Sequence, residues 1–257
     1  MSLADHLREL RYRLIFSVVA IVLGMVGCAF FYTRLLSLLL QPWYLAQSML
    51  QIANPEMNIQ VILSGVTSPL FLAIKVCLVG GLVLTSPLWL YQVWAYIAPA
   101  LLANEKRYAV WFLLAALPLF LLGVFVGFIV LPQGISVMML FTPDVTGLTN
   151  LLEIGDFLNL MLQLMLVFGL GFLMPVVVVA MNLVGVVSGA ALKKARSYVV
   201  FGCFVFAAAA TPGGDPFSMM ALAVPMFLLF LLAEAICHVN DRRRRKKLAD
   251  QGLLVEP

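Results

Sequence analysis

Charged residues are scarce in this chain, in which only 11% of the 257 residues are Asp, Glu, Lys or Arg and 63% are hydrophobic. At a mean hydropathy of +1.06, the chain carries more apolar surface than a soluble core of this length could bury. The balance excludes an ordinary soluble globular protein. It indicates an all-α integral membrane protein.

Histidine is almost absent, and the two that occur, His6 and His238, flank the apolar region. A Ser-His dyad or an HExxH zinc site within that region is therefore excluded. No GxxxxGK[ST] motif occurs, so this chain contains no nucleotide-driven motor. The only acid deep in an apolar segment is Glu234, which excludes a pair of aspartates. We expect no enzymatic activity, no cofactor and no metal, and any work must draw on another subunit or energy source.

Cysteines are few, and their spacing matches no disulfide framework and no metal site. All four lie in apolar stretches at irregular spacing, so we interpret them as reduced packing residues: Cys28, Cys77, Cys203 and Cys237. The stretch "MVGC" faintly resembles a lipoprotein cleavage box. Because the apolar run continues past it into "AFFY", we expect a first helix that is retained.

Long apolar runs are abundant. A helix needs about 20 apolar residues to cross a bilayer, and five segments meet this length: residues 14–32, 70–102, 108–131, 157–187 and 217–237. A sixth, residues 198–210, reaches only about 20 Å at 1.5 Å per residue. Prolines within the spans predict kinks, either as ordinary irregularity or as a device that curves the bundle into a concave wall.

The basic residues are placed asymmetrically. If every segment crosses, 14 of the 16 Lys and Arg fall on one side, and the opposite connections hold only Arg34. By the positive-inside rule both termini are cytoplasmic. We therefore expect one polytopic domain over residues 1–257, with an amphipathic cytoplasmic N-terminus at 1–13 and a basic cytoplasmic tail at 238–257. The basic run 242–247 is better explained as a retention signal or a contact with anionic lipid than as a nucleic-acid site.

Three polar features stand out from this apolar background. Glu9 lies four residues before Arg13, a spacing that suits an ion pair on one helix face. Glu105 lies in the first charged cluster after a long apolar run, where a solvated loop charge is the plain interpretation. Asp156, Asn159 and Gln163 recur at i, i+3 and i+7, so one face of the fourth span should meet protein or water rather than lipid.

Four stretches, in this order, resemble the TatC family of twin-arginine protein translocase subunits: "HLRELRYRL", "LYQVWAYIAPALLANEKR", "FGLGFLMP" and "AAAATPGGDPFSMMALAVPM". The resemblance covers nearly the whole chain. It implies six transmembrane helices in a concave, glove-like bundle, the last two spans short or closely hairpinned, in the bacterial cytoplasmic membrane. It also implies a receptor for twin-arginine signal peptides of folded proteins, an oligomeric complex with TatA and, where present, TatB, and transport driven by the proton-motive force.

The resemblance also assigns residues. The signal-binding acids of the family fall on Glu9 and Glu105, with Arg11 and Tyr96 in the matching motifs. Two carboxylates at the cytoplasmic interface would suit the forked guanidinium groups of an arginine pair.

Thr211 and Asp215 match the region where the family docks its small subunits, although this stretch also suits a plain tight turn. The family often carries a glutamate where this chain has Leu173, so Asn159 and Gln163 are the available substitutes for contact with a partner helix.

Two other classes of function stay open on the residues alone. A proton- or solute-coupled transporter would need ionisable groups near the membrane midplane, and Lys75 is the sole basic candidate. Its plain interpretation is a side chain that snorkels to the outer interface. A structural scaffold is the weaker alternative.

Overall fold

The computed structural model describes residues 3–53, 59–97, 105–139, 150–211 and 216–250. Within these ranges the chain forms eight helices and two short strands. In chain order they are α1 (Leu3–Phe30), α2 (Tyr32–Ala53), β1 (Ile59–Ile62), α3 (Ser68–Leu84), α4 (Ser86–Ile97), α5 (Glu105–Met139), β2 (Asn150–Glu153), α6 (Ile154–Val184), α7 (Gly189–Ala210) and α8 (Pro216–Asp250).

Helix α6 is the centre of the bundle. Its buried side chains join the largest apolar cluster, to which α2, α3, α5, α7 and α8 also contribute. Glycines allow α5 and α6 to approach closely, because a Cβ added at Gly123 would collide with the carbonyl of Phe168, and one at Gly127 would lie 3.0 Å from the carbonyl oxygen of Leu164. Close backbone approach at small residues is how membrane helices gain packing energy without a hydrophobic driving force.

The second predicted span is broken rather than continuous. Helices α3 and α4 meet at Thr85 with a bend of 61°, two residues before Pro87, where the ring disfavours an unbroken helix. Because Pro87 has no N–H, the carbonyl oxygen of Val83 loses its helical donor and accepts instead from the Ser86 hydroxyl at 2.7 Å. The indole nitrogen of Trp89 donates to the carbonyl oxygen of Leu82 at 2.9 Å. The predicted kink is therefore confirmed here, and its freed carbonyls are satisfied locally.

The span predictions are confirmed by length and composition. In the described part of the chain, four helices are long and apolar enough to cross a membrane, or five if the bent α3–α4 pair is one span. Helix α7 fails this test among the described residues, as expected for the short segment 198–210. Its polar first turns nevertheless extend it to 22 residues, and α8 continues past its apolar part to reach 35 residues.

Three elements lie outside the sequence predictions: helix α2 and the two strands. Helix α2 follows α1 directly and packs on α5 and α3. Strands β1 and β2 pair in parallel, with Ile59 opposite Asn150 and Ile62 opposite Glu153. The pair lies at the end of the bundle where α3 and α6 begin, and the all-α prediction is otherwise confirmed.

Candidate functional site

An apolar groove opens between α1, α4 and α6. Its volume is about 530 Å³, and its walls are almost entirely hydrocarbon. Four polar side chains occur among the lining residues: Arg13, Ser17, Gln92 and Tyr96. The bend at Thr85 lies between the α3 and α4 contributions to this wall, Leu82 and Trp89, so the break in the second span helps to shape the groove.

A polar bridge lies beside the groove and joins α1 to α4. The Arg13 guanidinium donates to Glu9 Oε1 from Nε at 3.0 Å and from a terminal nitrogen at 2.6 Å, and its other terminal nitrogen donates to Gln92 Oε1 at 3.1 Å. The predicted pair between Glu9 and Arg13 is thus confirmed. No described residue donates to the second oxygen of Glu9, Oε2, which is left able to accept a further donor.

The other candidate residues of this region are placed less completely. Arg11 is exposed on α1, and Tyr96 lines the groove near the end of α4. Glu105 is the first residue of α5, and its side chain lies outside the described part of the structure. The structure therefore brings Glu9 and Tyr96 to one groove, while the position of the Glu105 carboxylate stays a prediction.

The predicted polar face of α6 is exposed at Asp156, Asn159 and Gln163. Lys75 of α3 donates from Nζ to Asn159 Oδ1 at 2.9 Å, a contact between helices that sequence reasoning did not foresee. Leu166 and Leu170 continue this face of α6 at helical spacing and line the groove. The polar face and the groove are thus parts of one exposed side of α6.

Three positions remain near the last helices: Thr211, Asp215 and Leu173. Thr211 is buried, and its hydroxyl donates to the carbonyl oxygen of Ala207 at 2.8 Å. Asp215 lies outside the described residues. Leu173, which the sequence analysis noted in place of a glutamate, packs against an apolar cluster that includes Val176 and Ala180.

Sequence reasoning missed two polar networks on α8. Glu234 is buried, and its carboxylate accepts from Arg196 of α7 at 2.8 and 3.1 Å, with His238 at 3.8 Å. The second network centres on Asp241, which accepts from the backbone N–H of Gly189 at 2.7 Å. The available signal was Glu234 itself, because a carboxylate in an apolar segment needs a cationic partner.

Comparison with known proteins identifies the family of this chain. Residues 5–225 match the family model described as "Sec-independent protein translocase protein (TatC)". The chain belongs to the TatC family. It is 37% identical to the TatC of Xylanimonas cellulosilytica, with 97% of this chain and 88% of the relative covered. It is 34% identical to that of Escherichia coli, with 89% and 84% covered.

Solved TatC structures share the fold. One, described as "Twin Arginine Translocase Receptor- TatC in DDM", superposes with a TM-score of 0.75 at 32% identity, covering 90% of this chain and 99% of that one. A second gives a TM-score of 0.71 at 30% identity. This TatC chain is therefore a multi-pass membrane component of a Sec-independent protein translocase and belongs to a protein-transport family.

Proposed function

We propose that this TatC chain is the signal-peptide receptor and core subunit of a twin-arginine translocase, which exports folded proteins across the bacterial cytoplasmic membrane with the proton-motive force. One observation carries the proposal. The apolar groove has a carboxylate beside it, on Glu9, with Tyr96 in its wall. A signal that combines arginines with an apolar segment needs both kinds of surface side by side.

The geometry at Glu9 suits a second guanidinium. Arg13 binds only Oε1, so an arriving arginine can take Oε2 without displacing it. The pair between Glu9 and Arg13 is a partly exposed i,i+4 contact that contributes about 0.3 to 0.5 kcal/mol. Even complete displacement of Arg13 would therefore cost about twofold in affinity. We propose Glu105 as the second carboxylate, with Arg11 and Tyr96 at the edge of the site.

Charge alone would bind a signal weakly. Two carboxylate–arginine contacts at about 1.5 to 3 kcal/mol each reach roughly millimolar affinity, or little better. Burial of an apolar side chain such as leucine adds about 1.5 to 3 kcal/mol. Two such residues of the signal in the groove would bring the affinity to the micromolar range, so we infer that its apolar segment lies between α1, α4 and α6.

The assembly partners we propose are TatA and, where present, TatB, in an oligomeric complex embedded in membrane lipids. Asn159, Gln163, Thr211 and Asp215 are the proposed contacts with a partner helix. Exposure of Asn159 and Gln163 within α6 supports this, since exposed amides are costly against lipid, even though the Asn159 oxygen already accepts from Lys75. Burial of Thr211 makes its contribution indirect, through the end of α7.

Crosslinking of an arginine-pair signal peptide to membranes that contain each variant tests the receptor proposal. We expect Glu105→Gln, and less severely Glu9→Gln, to abolish or strongly reduce crosslinking while insertion is unchanged. A signal with paired lysines should crosslink less to the parent protein, because an ammonium cannot form the forked contact. Asp156→Asn, an exposed acid at the other end of α6, is the matched control and should behave as the parent. Undiminished crosslinking to Glu105→Gln would leave that residue a solvated loop charge.

The partner contact has its own test. Replacing Asn159 and Gln163 together by leucine should reduce recovery of a small single-span subunit with the purified protein, while the signal peptide still crosslinks. If recovery and transport are unchanged, the polar face serves internal packing only.

A further inference from the structure

Seven exposed cations surround the end of the bundle where α6 turns into α7 and α8 leaves its apolar part. Their side chains are all exposed, and we call the set the basic end: Lys193, Lys194, Arg242, Arg243, Arg244, Arg245 and Lys246. The α7 and α8 members are held near one another. The backbone of Gly189 lies against His238, and the Arg244 guanidinium lies over Gly185 in the turn between α6 and α7.

The acids of this region do not neutralise the basic end. Glu234 is engaged by Arg196 and lies close to His238. Asp241 faces inward, where it accepts from the amide of Asn182 at 2.9 Å and from the N–H of Gly189 at 2.7 Å. None of the seven cations forms an ion pair with a carboxylate of the described residues. Asp241 also attracts Arg245 one turn further along α8, so the two acids of this region offset only part of the positive charge.

A network of hydrogen bonds fixes this end of the bundle. The buried amide of Asn182 donates to Asp241 and to the carbonyl oxygen of Val187, and its oxygen accepts from Asn240 at 3.0 Å. These bonds join α6, the α6–α7 turn and α8. The cations consequently project from a frame, rather than from a free tail that would lose conformational entropy on binding.

The position of the basic end relative to the apolar surface identifies its partner. The apolar part of α7 begins at the exposed Tyr198, and Lys194 lies about 6 Å before it along the helix axis. The apolar part of α8 ends at the buried Cys237, and Arg242 lies about 8 Å beyond it. The side chains thus lie at the level of lipid headgroups, where Tyr198 is also suitably placed as an interfacial aromatic. A nucleic acid or an acidic protein would need no such alignment with the hydrocarbon boundary.

We propose that the basic end is a binding site for the phosphate headgroups of anionic phospholipids. Arginine recognises phosphate with two parallel hydrogen bonds, whereas lysine acts as a point charge. The four consecutive arginines of α8 provide the forked contacts, and Lys193 and Lys194 add attraction from α7. Each basic residue near a membrane surface changes anionic-lipid binding by about fivefold, so a framed set of seven should select these lipids over zwitterionic ones.

The full chain, purified and reconstituted, tests this site. Vesicles of phosphatidylcholine with a minor fraction of phosphatidylglycerol would carry one of these lipids in photoactivatable form, and mass spectrometry would locate the labelled peptides. In the parent protein we expect labelling of the start of α7 and the end of α8 to be at least about fivefold stronger with the anionic lipid. Replacing all four arginines, residues 242–245, by glutamine should remove that preference.

Two further variants distinguish specific binding at the basic end from general attraction of anionic lipid to positive charge. Replacing the four arginines by lysine keeps the charge that directs insertion but removes the forks, so labelling should fall to an intermediate level. Arg34→Gln, an exposed cation on α2, should leave labelling as in the parent. Equal labelling by both lipids, full labelling in the glutamine variant, or an equal loss with Arg34→Gln would each overturn the proposal.

Discussion

Asp241 offers the sharpest test of how the ends of α6, α7 and α8 are held together. Replacement by alanine removes both acceptors, one for the Gly189 N–H at 2.7 Å and one for the Asn182 amide at 2.9 Å. Gly189 is the first residue of α7, so its N–H is one of the helix's unsatisfied donors, and a carboxylate there also complements the helix dipole. Asn182 stays buried with one donor bond, to Val187.

The free energy that Asp241→Ala should lose follows from these two hydrogen bonds. A hydrogen bond to a charged group contributes about 1.5 to 3 kcal/mol, so two would contribute about 3 to 6 kcal/mol. Asp241 is partly exposed, and solvent screening reduces this to about 2 to 4 kcal/mol. Local opening around the α6–α7 turn should therefore become roughly 30- to 700-fold more frequent in Asp241→Ala.

Hydrogen exchange followed by mass spectrometry measures this opening directly. The peptide that contains Gly189 should lose protection in detergent-solubilised Asp241→Ala, whereas peptides from the middle of α5 and α6 should not. Asp241→Asn retains one acceptor oxygen and should lose about half as much free energy. Arg243→Gln, an exposed replacement two residues away, is the matched control. Parent-like exchange at Gly189 in the alanine variant would refute the view that Asp241 holds this turn.

Three other outcomes are expected. Gly123→Ala should lower the melting temperature of the solubilised protein by several degrees, because the added methyl group would force α5 away from the backbone of α6. Gly27→Ala, which has open space around it, should leave the melting temperature unchanged. Equal effects at the two glycines would contradict the packing argument. Arg13→Met should leave signal crosslinking equal or up to about twofold stronger, since it removes a competitor for Glu9; a clear loss would assign Arg13 a direct role. A cysteine at Gly213 should react with an impermeant thiol reagent from outside the cell, and the four buried native cysteines should not; labelling only from the cytoplasmic side would contradict the proposed topology.

The apolar spans could be predicted from sequence because the bilayer sets a length that composition reveals directly. The bend between α3 and α4 was predictable in kind from Pro87, but not in its angle of 61°. Helix α2 was missed because Arg34, Gln41 and Pro42 interrupt it and leave no run of spanning length. Strands β1 and β2 were missed because four-residue strands carry little periodicity.

In the candidate site, contacts within one helix could be predicted from sequence, whereas contacts between helices could not. The pair of Glu9 and Arg13 was predictable, since both residues lie on one helix at a fixed spacing. The contact of Arg13 with Gln92 was not, because that residue comes from α4 and its position depends on how the bundle packs. The bond from Lys75 to Asn159 was unpredictable for the same reason, and it gives a protein partner to the lysine that was interpreted from sequence as snorkelling.

The parallel pairing of β1 and β2 has a consequence for the order of folding. Three helices, α3, α4 and α5, separate the two strands in the chain, so β1 is synthesised long before its partner exists. Contacts between segments so distant in sequence form late, because the cost of closing the loop precedes their gain. This end of the bundle should consequently mature only after α5 has inserted. The bond between Lys75 and Asn159, which joins the helices that follow the two strands, should mature with it.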